Sequence, residues 1–360
     1  MKKTFSVYQR RDGRFEARIP DGKKEDGKRK FRYVLARSRE QVIEKMAEIC
    51  SGYKIENCEK TVAEVYMEYH NSIQYRVKES TAANYMMKAK NHIIPVFGSK
   101  RIDSVTEEGV YRFIQEKQNA RLSARYIADI VILMKTLFKY AVRIYHIFNP
   151  MDSITLPKKK SPEIQLLDEQ EQQRLQQYIA ENQNKSTLGV ALSMSTGIRI
   201  GELCALQWKD VDLEKRILTV RKTLQRIQCQ TEVARTKLII TEPKSESSKR
   251  SIPIPECMIE FLKKFKGNSD EYLLSGNKQP TEPRTMQYRF ARILKNVNLP
   301  SVHFHALRHM FASRCVRLGF DIKALSELLG HSSVEITLNR YVHSSFEEKK
   351  NLMGRLNFSF

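Results

Sequence analysis

Apolar residues change their spacing along this chain, and that change of period constrains the fold more than any other feature. Up to Leu35 they alternate with polar neighbours: Phe5 and Val7, then Phe15, Ala17 and Ile19, then Phe31, Tyr33 and Leu35. A period of two marks a half-buried strand, and Asp12-Gly13 between the first runs is a hairpin signal. A Gly- and Lys-rich turn precedes the third run, and Ser38 is placed to cap a short helix carrying Val42, Ile43, Met46 and Ile49. From Thr61 to Tyr145 the spacing becomes three and four, in TVAEVYMEYHNSI, STAANYMMKAKNHI, TEEGVYRFIQEK and SARYIADIVILMKTLFKYAVRIY. These read as four helices, with Thr61, Ser80, Thr106 and Ser123 at N-cap positions. Beyond Leu166 helices dominate again, opened by Asp168 and Glu171 as a capping box. A strand-rich insert, RILTVRKTLQRI, TKLIITEPK and RSIPI, interrupts them.

The expected architecture is therefore multidomain and mainly α with small β elements, an α+β chain. A three-stranded sheet plus helix spans residues 1–52, and a helical bundle spans 58–153. A linker at 154–165 precedes a mixed α/β domain over 166–360. The linker contains TLPKKKSPEIQ, whose two prolines and three lysines suit a tether. A chain of 360 residues is long enough for two or three such domains.

Charge narrows the partner. Lysine and arginine total 63 against 41 acidic residues, a formal charge of +22 and a pI near 9.7. Such an excess attracts polyanions and makes their binding strongly salt-dependent, so double-stranded DNA is the expected partner. Arg10, Arg11, Arg14, Arg18, Lys28, Lys30 and Arg32 flank the N-terminal strands, and Lys158, Lys159 and Lys160 lie in the linker. All are candidate backbone contacts, and a three-stranded sheet can enter a major groove. No stretch is long and apolar enough to span a bilayer, and MKKTFSVYQRRDGR lacks the apolar core of a signal peptide. Six cysteines without CxxC spacing predict reduced thiols in a cytoplasmic protein, with neither a zinc site nor a disulfide framework. The absence of a Gly-rich nucleotide loop argues against an ATP-driven machine.

The chemistry concentrates near the C-terminus. In HALRHMFASR, His305 and Arg308 stand three residues apart, on one side of a helix turn. His331 follows Leu329-Gly330, and Tyr341 comes ten residues later. Cationic donors converging near a phenol suit attack of tyrosine on a phosphodiester. Upstream, STGIRIGELCALQW places Arg199 after a glycine turn, where its guanidinium can pair with two phosphate oxygens. His305 and His309 also have the spacing of a shared metal pair, but no third ligand stands nearby, so no metal is expected and His309 reads as packing.

These motifs, TGIRIGELCALQW, HALRH, LGH and Tyr341, together resemble the tyrosine recombinases of the phage-integrase family. The resemblance implies a catalytic domain of the DNA breaking-rejoining type and a helical core-binding bundle. Its N-terminal part is similar to the arm-binding module of phage and conjugative-transposon integrases. It implies that Arg199, Lys244, His305, Arg308 and His331 are catalytic, with Tyr341 the nucleophile and Glu202 in support. Lys244 falls on the lysine of the turn in TEPKSESSKRSIP, where an ammonium can protonate a departing 5′ oxygen. Lys249 and Arg250 then read as phosphate contacts. A phenol is mostly protonated at neutral pH and needs this cationic company to attack. Ala306 and Met310 depart from the family pattern, which usually has an acidic residue and a threonine there.

The function implied is site-specific recombination through a 3′-phosphotyrosine, integrating and excising a mobile element without ATP, cofactor or metal. The implied partners are core and arm attachment sites on DNA and three further copies in a synaptic tetramer. An excisionase or host DNA-bending protein is a candidate further partner. A type IB topoisomerase, a chromosome-dimer resolvase and a DNA-binding regulator on a decayed scaffold are the alternatives.

Overall fold

The computed structural model describes residues 8–10, 12–23, 29–39, 41–42, 45, 58–147, 149–157, 165–229, 235–243, 246–341, 350 and 353–354. The chain divides into two compact units, Met1–Ser161 and Pro162–Phe360.

The first unit opens with an antiparallel sheet in the order β1 (Tyr8–Gln9), β2 (Phe15–Lys23), β3 (Arg29–Ala36). Gly13, at φ 79°, makes the β1–β2 turn, and Asp12 accepts from the Arg14 amide at 3.1 Å. Opposed residues share a face, and the register pairs Phe15 with Ala36 and Ala17 with Val34. Ala17, Val34, Ala36 and Val42 therefore form the small core. The expected inward face of the third run is corrected by this register: Tyr33 is 53% exposed, and Val34 and Ala36 point inward instead. Ser38 caps as expected, its hydroxyl accepting from Gln41 N at 3.2 Å. Phe5, Val7, Ile43, Met46 and Ile49 lie outside the described residues.

The rest of this unit is helical: α1 (Val62–Ile73), α2 (Glu79–Lys88), α3 (Ile94–Phe97), α4 (Glu107–Asn119) and α5 (Ala124–Tyr145). Thr61, Thr106 and Ser123 cap α1, α4 and α5 with their hydroxyls. Ser80 does not cap. Helix α2 starts two residues earlier, with Lys78 at the N-cap and no side-chain bond. The chain between α2 and α4 is partly helical too, because a π-turn at Ala89–Ile93 leads directly into α3. Its extra residue per turn accommodates Pro95, which has no N–H to donate backwards. Helix α5 buries Ile127, Ile130, Val131, Met134, Leu137 and Phe138 in a core shared with Tyr66, Ile93, Phe97 and Phe113. Each such side chain contributes about 1.5–3 kcal/mol.

The second unit begins with α6 (Glu169–Glu181), whose Asp168–Glu171 capping box forms as expected. Helix α7 (Lys185–Thr196) is buried on most of its surface and runs through the core, in contact with α10 (Pro283–Asn296) and α11 (His305–Arg317). Helix α8 (Ile200–Cys204) follows α7 after a glycine. Five strands come next: β4 (Val211–Asp212), β5 (Ile217–Val220), β6 (Thr223–Gln228), β7 (Thr236–Thr241) and β8 (Arg250–Pro253). They build two sheets, β4-β5-β8 and β6-β7.

The run RILTVRKTLQRI is thus two strands, broken where the exposed Arg221 and Lys222 succeed the buried Val220. The turn that the resemblance implies at Lys244 does not join paired strands. Strand β7 pairs with β6 and β8 with β5, so the intervening loop joins two sheets. Helices α9 (Ile259–Lys264), α12 (Ile322–Leu329) and α13 (Val334–Tyr341) complete the unit. No helix among the described residues is long and apolar enough to cross a membrane.

Candidate active site

Two glycines in the left-handed region set the site. Gly197, at φ 64°, ends α7 and turns the chain so that Arg199 becomes the N-cap of α8. A Cβ at Gly197 would sit 2.4 Å from the Phe311 ring, so a side chain is excluded by space as well as by torsion. Gly330, also at φ 64°, ends α12 and presents His331.

Arg199 donates to Glu202 Oε1 at 2.8 Å and to the Gly330 carbonyl at 2.8 Å. Arg308, on α11, is 2% exposed and donates to the carbonyls of Gly197 and Leu329, each at 2.7 Å. Burial, then the charges of Arg199 and Arg250, push the Arg308 guanidinium down to about 9, so it remains cationic at neutral pH. Glu202 is 3% exposed and lies between two guanidinia. Arg250 reaches its two oxygens at 3.2 and 2.9 Å and shares Oε1 with Arg199. Burial alone would raise the Glu202 pKa. The Arg250 bonds and the charges of Arg250 and Arg199 outweigh it and hold the carboxyl below the ordinary 4.5.

A depressed folded pKa gives stability that is fully present above about pH 4.5 and is lost as pH falls through the folded value. Thermal melts of wild type and Glu202→Gln should therefore differ most near neutral pH, with the gap closing on acidification below about pH 4.5. A gap independent of pH would contradict an ionised Glu202.

The histidines and the tyrosine form one aromatic row. His305 and His309 meet edge-on at 4.9 Å between centroids, and His309 meets Tyr341 at 5.4 Å. The His331 ring is parallel to Tyr341 at 6.4 Å. His331 Nδ1 is 2.8 Å from the hydroxyl of the fully buried Thr337, which fixes the ring's orientation. Tyr341 is 9% exposed, its hydroxyl buried, with Ala312, Cys315, Leu325 and Leu329 in the same apolar cluster.

A cleft of about 460 Å³ gathers Arg199, Glu202, His305, Arg308 and His331 on its wall, together with Pro243 and Ser248. Tyr341 stands next to it, behind the His309 and His331 rings. Arg199 and Arg308 line the cleft with Arg250 behind them, and against the Glu202 carboxylate they leave net positive charge around a partly desolvated cleft, where it acts more strongly than in water. Such a cleft suits a phosphate whose equatorial oxygens gain charge during reaction.

Lys244 lies outside the described residues, as do Arg11, Lys28, Lys158, Lys159, Lys160 and His343. Arg18, Lys30 and Arg32 are strand residues whose side chains are not described. Arg10 and Arg14 are paired with Glu16 and Asp12 at 3.0 and 2.7 Å. Lys249 is paired with Glu242 at 2.9 Å on an exposed surface. Arg250 is a correction. Its side chain is 6% exposed and all three guanidinium nitrogens bond inside the protein, where a residue on an exposed surface was expected. Sequence reasoning had no means of finding this, because two of its acceptors are backbone carbonyls, of Leu328 and Ser248.

Comparison with known proteins decides the family. Residues 165–348, more than half of the chain, match the model described as the phage integrase family. The chain belongs to the phage integrase family. It is a tyrosine-type site-specific recombinase. Residues 61–118 match the family's N-terminal SAM-like domain. The recombinase is 27% identical over 311 residues to a XerC-like tyrosine recombinase of Caldanaerobacter subterraneus subsp. tengcongensis, covering 79% of each chain. It is 30% identical over 268 residues to the tyrosine recombinase XerA of Pyrococcus furiosus, covering 69% of this chain and 82% of that one. The solved structure of the Tn1549 transposon integrase, in complex with a circular intermediate DNA, superposes with a TM-score of 0.69 at 26% identity. That match covers 83% of this chain and all of the other.

Proposed function

We propose that this recombinase integrates and excises a mobile element, with Tyr341 as the nucleophile. The observation that carries the reading is the convergence of Arg199, Arg308, His305 and His331 on one cleft beside Tyr341. In the reaction, the Tyr341 oxygen attacks a DNA phosphorus and loses its proton to a neighbouring base, for which His305 is the candidate. A 3′-phosphotyrosine forms and the 5′ oxygen leaves, protonated by Lys244. Arg199 and Arg308 hold the equatorial oxygens and His331 donates to one of them, work that is worth most in the transition state. The 5′ hydroxyl of a partner strand then reverses the step. Bond energy is retained in the ester, so no ATP enters.

The partner is double-stranded DNA, a reading supported by the Tn1549 integrase structure, which holds a circular intermediate DNA. Strand exchange between two duplexes needs four tyrosines and so four protomers. The N-terminal sheet favours an arm-binding integrase over a chromosome-dimer resolvase, and the basic residues 10–32 and 158–160 supply phosphate contacts to arm and core DNA. Residues 1–52, 58–153 and 166–360 would be the arm-binding, core-binding and catalytic domains, the second and third joined by the 154–165 linker. An excisionase or host bending protein would set direction, and action would be in the cytoplasm.

The test is covalent trapping. Purified protein meets nicked suicide duplexes cut from the DNA flanking its own gene, with EDTA and without ATP. An SDS-stable, protease-sensitive adduct is expected. Tight, salt-sensitive binding with no adduct on either element end would move the decayed-regulator reading ahead.

A further inference from the structure

We infer that Arg250 is a positioning residue that holds Arg199, Arg308 and His331 in register through Glu202 and the C-terminal carbonyls of α12. The inference rests on the reading of this cleft as the recombination site.

Three consecutive carbonyls end α12, and each receives a different guanidinium. Leu328 O accepts from Arg250 Nε at 2.6 Å, Leu329 O from Arg308 at 2.7 Å, and Gly330 O from Arg199 at 2.8 Å. Carbonyls at a helix C-terminus are unsatisfied by the helix and carry its negative pole, so they suit cations. The helix end thus acts as a template that spaces two candidate catalytic arginines, and His331 follows it directly.

Arg250 closes the arrangement from behind. It binds both oxygens of Glu202, the carboxylate that also takes Arg199, and the carbonyl of Ser248 on its own loop. Glu202 is too buried to be solvated, and with Arg199 alone it would carry an unbalanced hydrogen-bond set. Arg250 is absent from the lining of the cleft that Arg199, Glu202, Arg308, Gly330 and His331 share. It acts through these groups and makes no contact with the substrate phosphate. Gly330 is shaped for the contact: a Cβ there would sit 3.0 Å from Arg250 Nη1 and 3.0 Å from Ser247 O. A lysine could supply charge but not the fork that reaches a carboxylate and two carbonyls at once.

Arg250→Gln, Arg250→Lys and the double variant Arg250→Gln/Glu202→Gln test this beside wild type on a nicked suicide duplex. Arg250→Gln should bind the duplex within about threefold of wild type and cleave about 100-fold more slowly in a single turnover. Arg250→Lys should recover less than about tenfold of that loss. Because Arg250 acts through Glu202, the double variant should cleave no more slowly than the worse single variant. Multiplicative losses, or cleavage within threefold of wild type, would overturn the assignment.

Hydrogen exchange supplies a readout that needs no activity. Deuterium uptake over Leu328–Ser332 should rise several-fold in Arg250→Gln and in Arg250→Lys, with the bundle peptides unchanged. Uptake equal to wild type there would also overturn it. Should Arg250→Gln not fold, Arg250→Lys carries both measurements. If wild-type protein fails to cleave while the uptake result holds, the functional reading is at fault and the positioning role stands.

Discussion

Tyr341→Phe binds DNA with unchanged affinity and forms no covalent adduct, a loss of more than about 10⁴-fold in cleavage. The substitution removes a hydroxyl and leaves the ring among Ala312, Cys315, Leu325 and Leu329. Its contacts with the His309 and His331 rings are ring contacts and survive as well. Folding should therefore be unaffected, and the melting temperature should match wild type. Binding by the basic flanks is electrostatic and does not pass through the phenol. Gel shift at two salt concentrations and SDS gels of trapped complexes read the two properties separately. An adduct persisting in the Phe variant would move the nucleophile to another of the fifteen tyrosines.

Arg308→Ala gives the second-largest loss, about 10³-fold in single-turnover cleavage against less than tenfold in DNA affinity. The asymmetry follows from position. Arg308 is 2% exposed on α11, aimed by two carbonyls, and its charge matters most when the phosphorane gathers negative charge. The same change leaves the Gly197 and Leu329 carbonyls without their buried donor, which costs about 2 kcal/mol of stability. Arg308→Lys should rescue little, since one ammonium cannot replace two divergent N–H donors. A loss in affinity equal to the loss in rate would make Arg308 a ground-state anchor. Arg199, with a side chain 34% exposed at the cleft, should lose rate with a smaller loss of stability.

Much of this site was legible because its parts lie in short motifs with helical spacing. His305 and Arg308 share a turn of α11, and Arg199 and Glu202 share the first turn of α8. His331 and Tyr341 are joined by one short helix. The capping residues Thr61, Thr106, Ser123 and Asp168 were legible for the same local reason. What escaped depends on pairing at a distance. The inward face of β3 is set by its partner on β2, and Tyr33 cannot report that register alone. The resemblance implies a tight turn at Lys244 between neighbouring strands, yet β8 pairs with β5 and β7 with β6. Arg250 looks like one more basic residue beside Lys249 in the sequence. Its buried role comes from Glu202, 48 positions away, and from Leu328, 78 positions away. Backbone acceptors have no letter in the sequence, so a guanidinium aimed at them leaves no motif.

The most direct measurement is mass spectrometry of the covalent complex. Wild-type protein trapped on a nicked suicide duplex, digested with nuclease and trypsin, should yield one modified peptide carrying a nucleotide phosphate on Tyr341. A phosphate found reproducibly on any other side chain, with Tyr341 unmodified, would contradict the assignment of the cleft and of its nucleophile together.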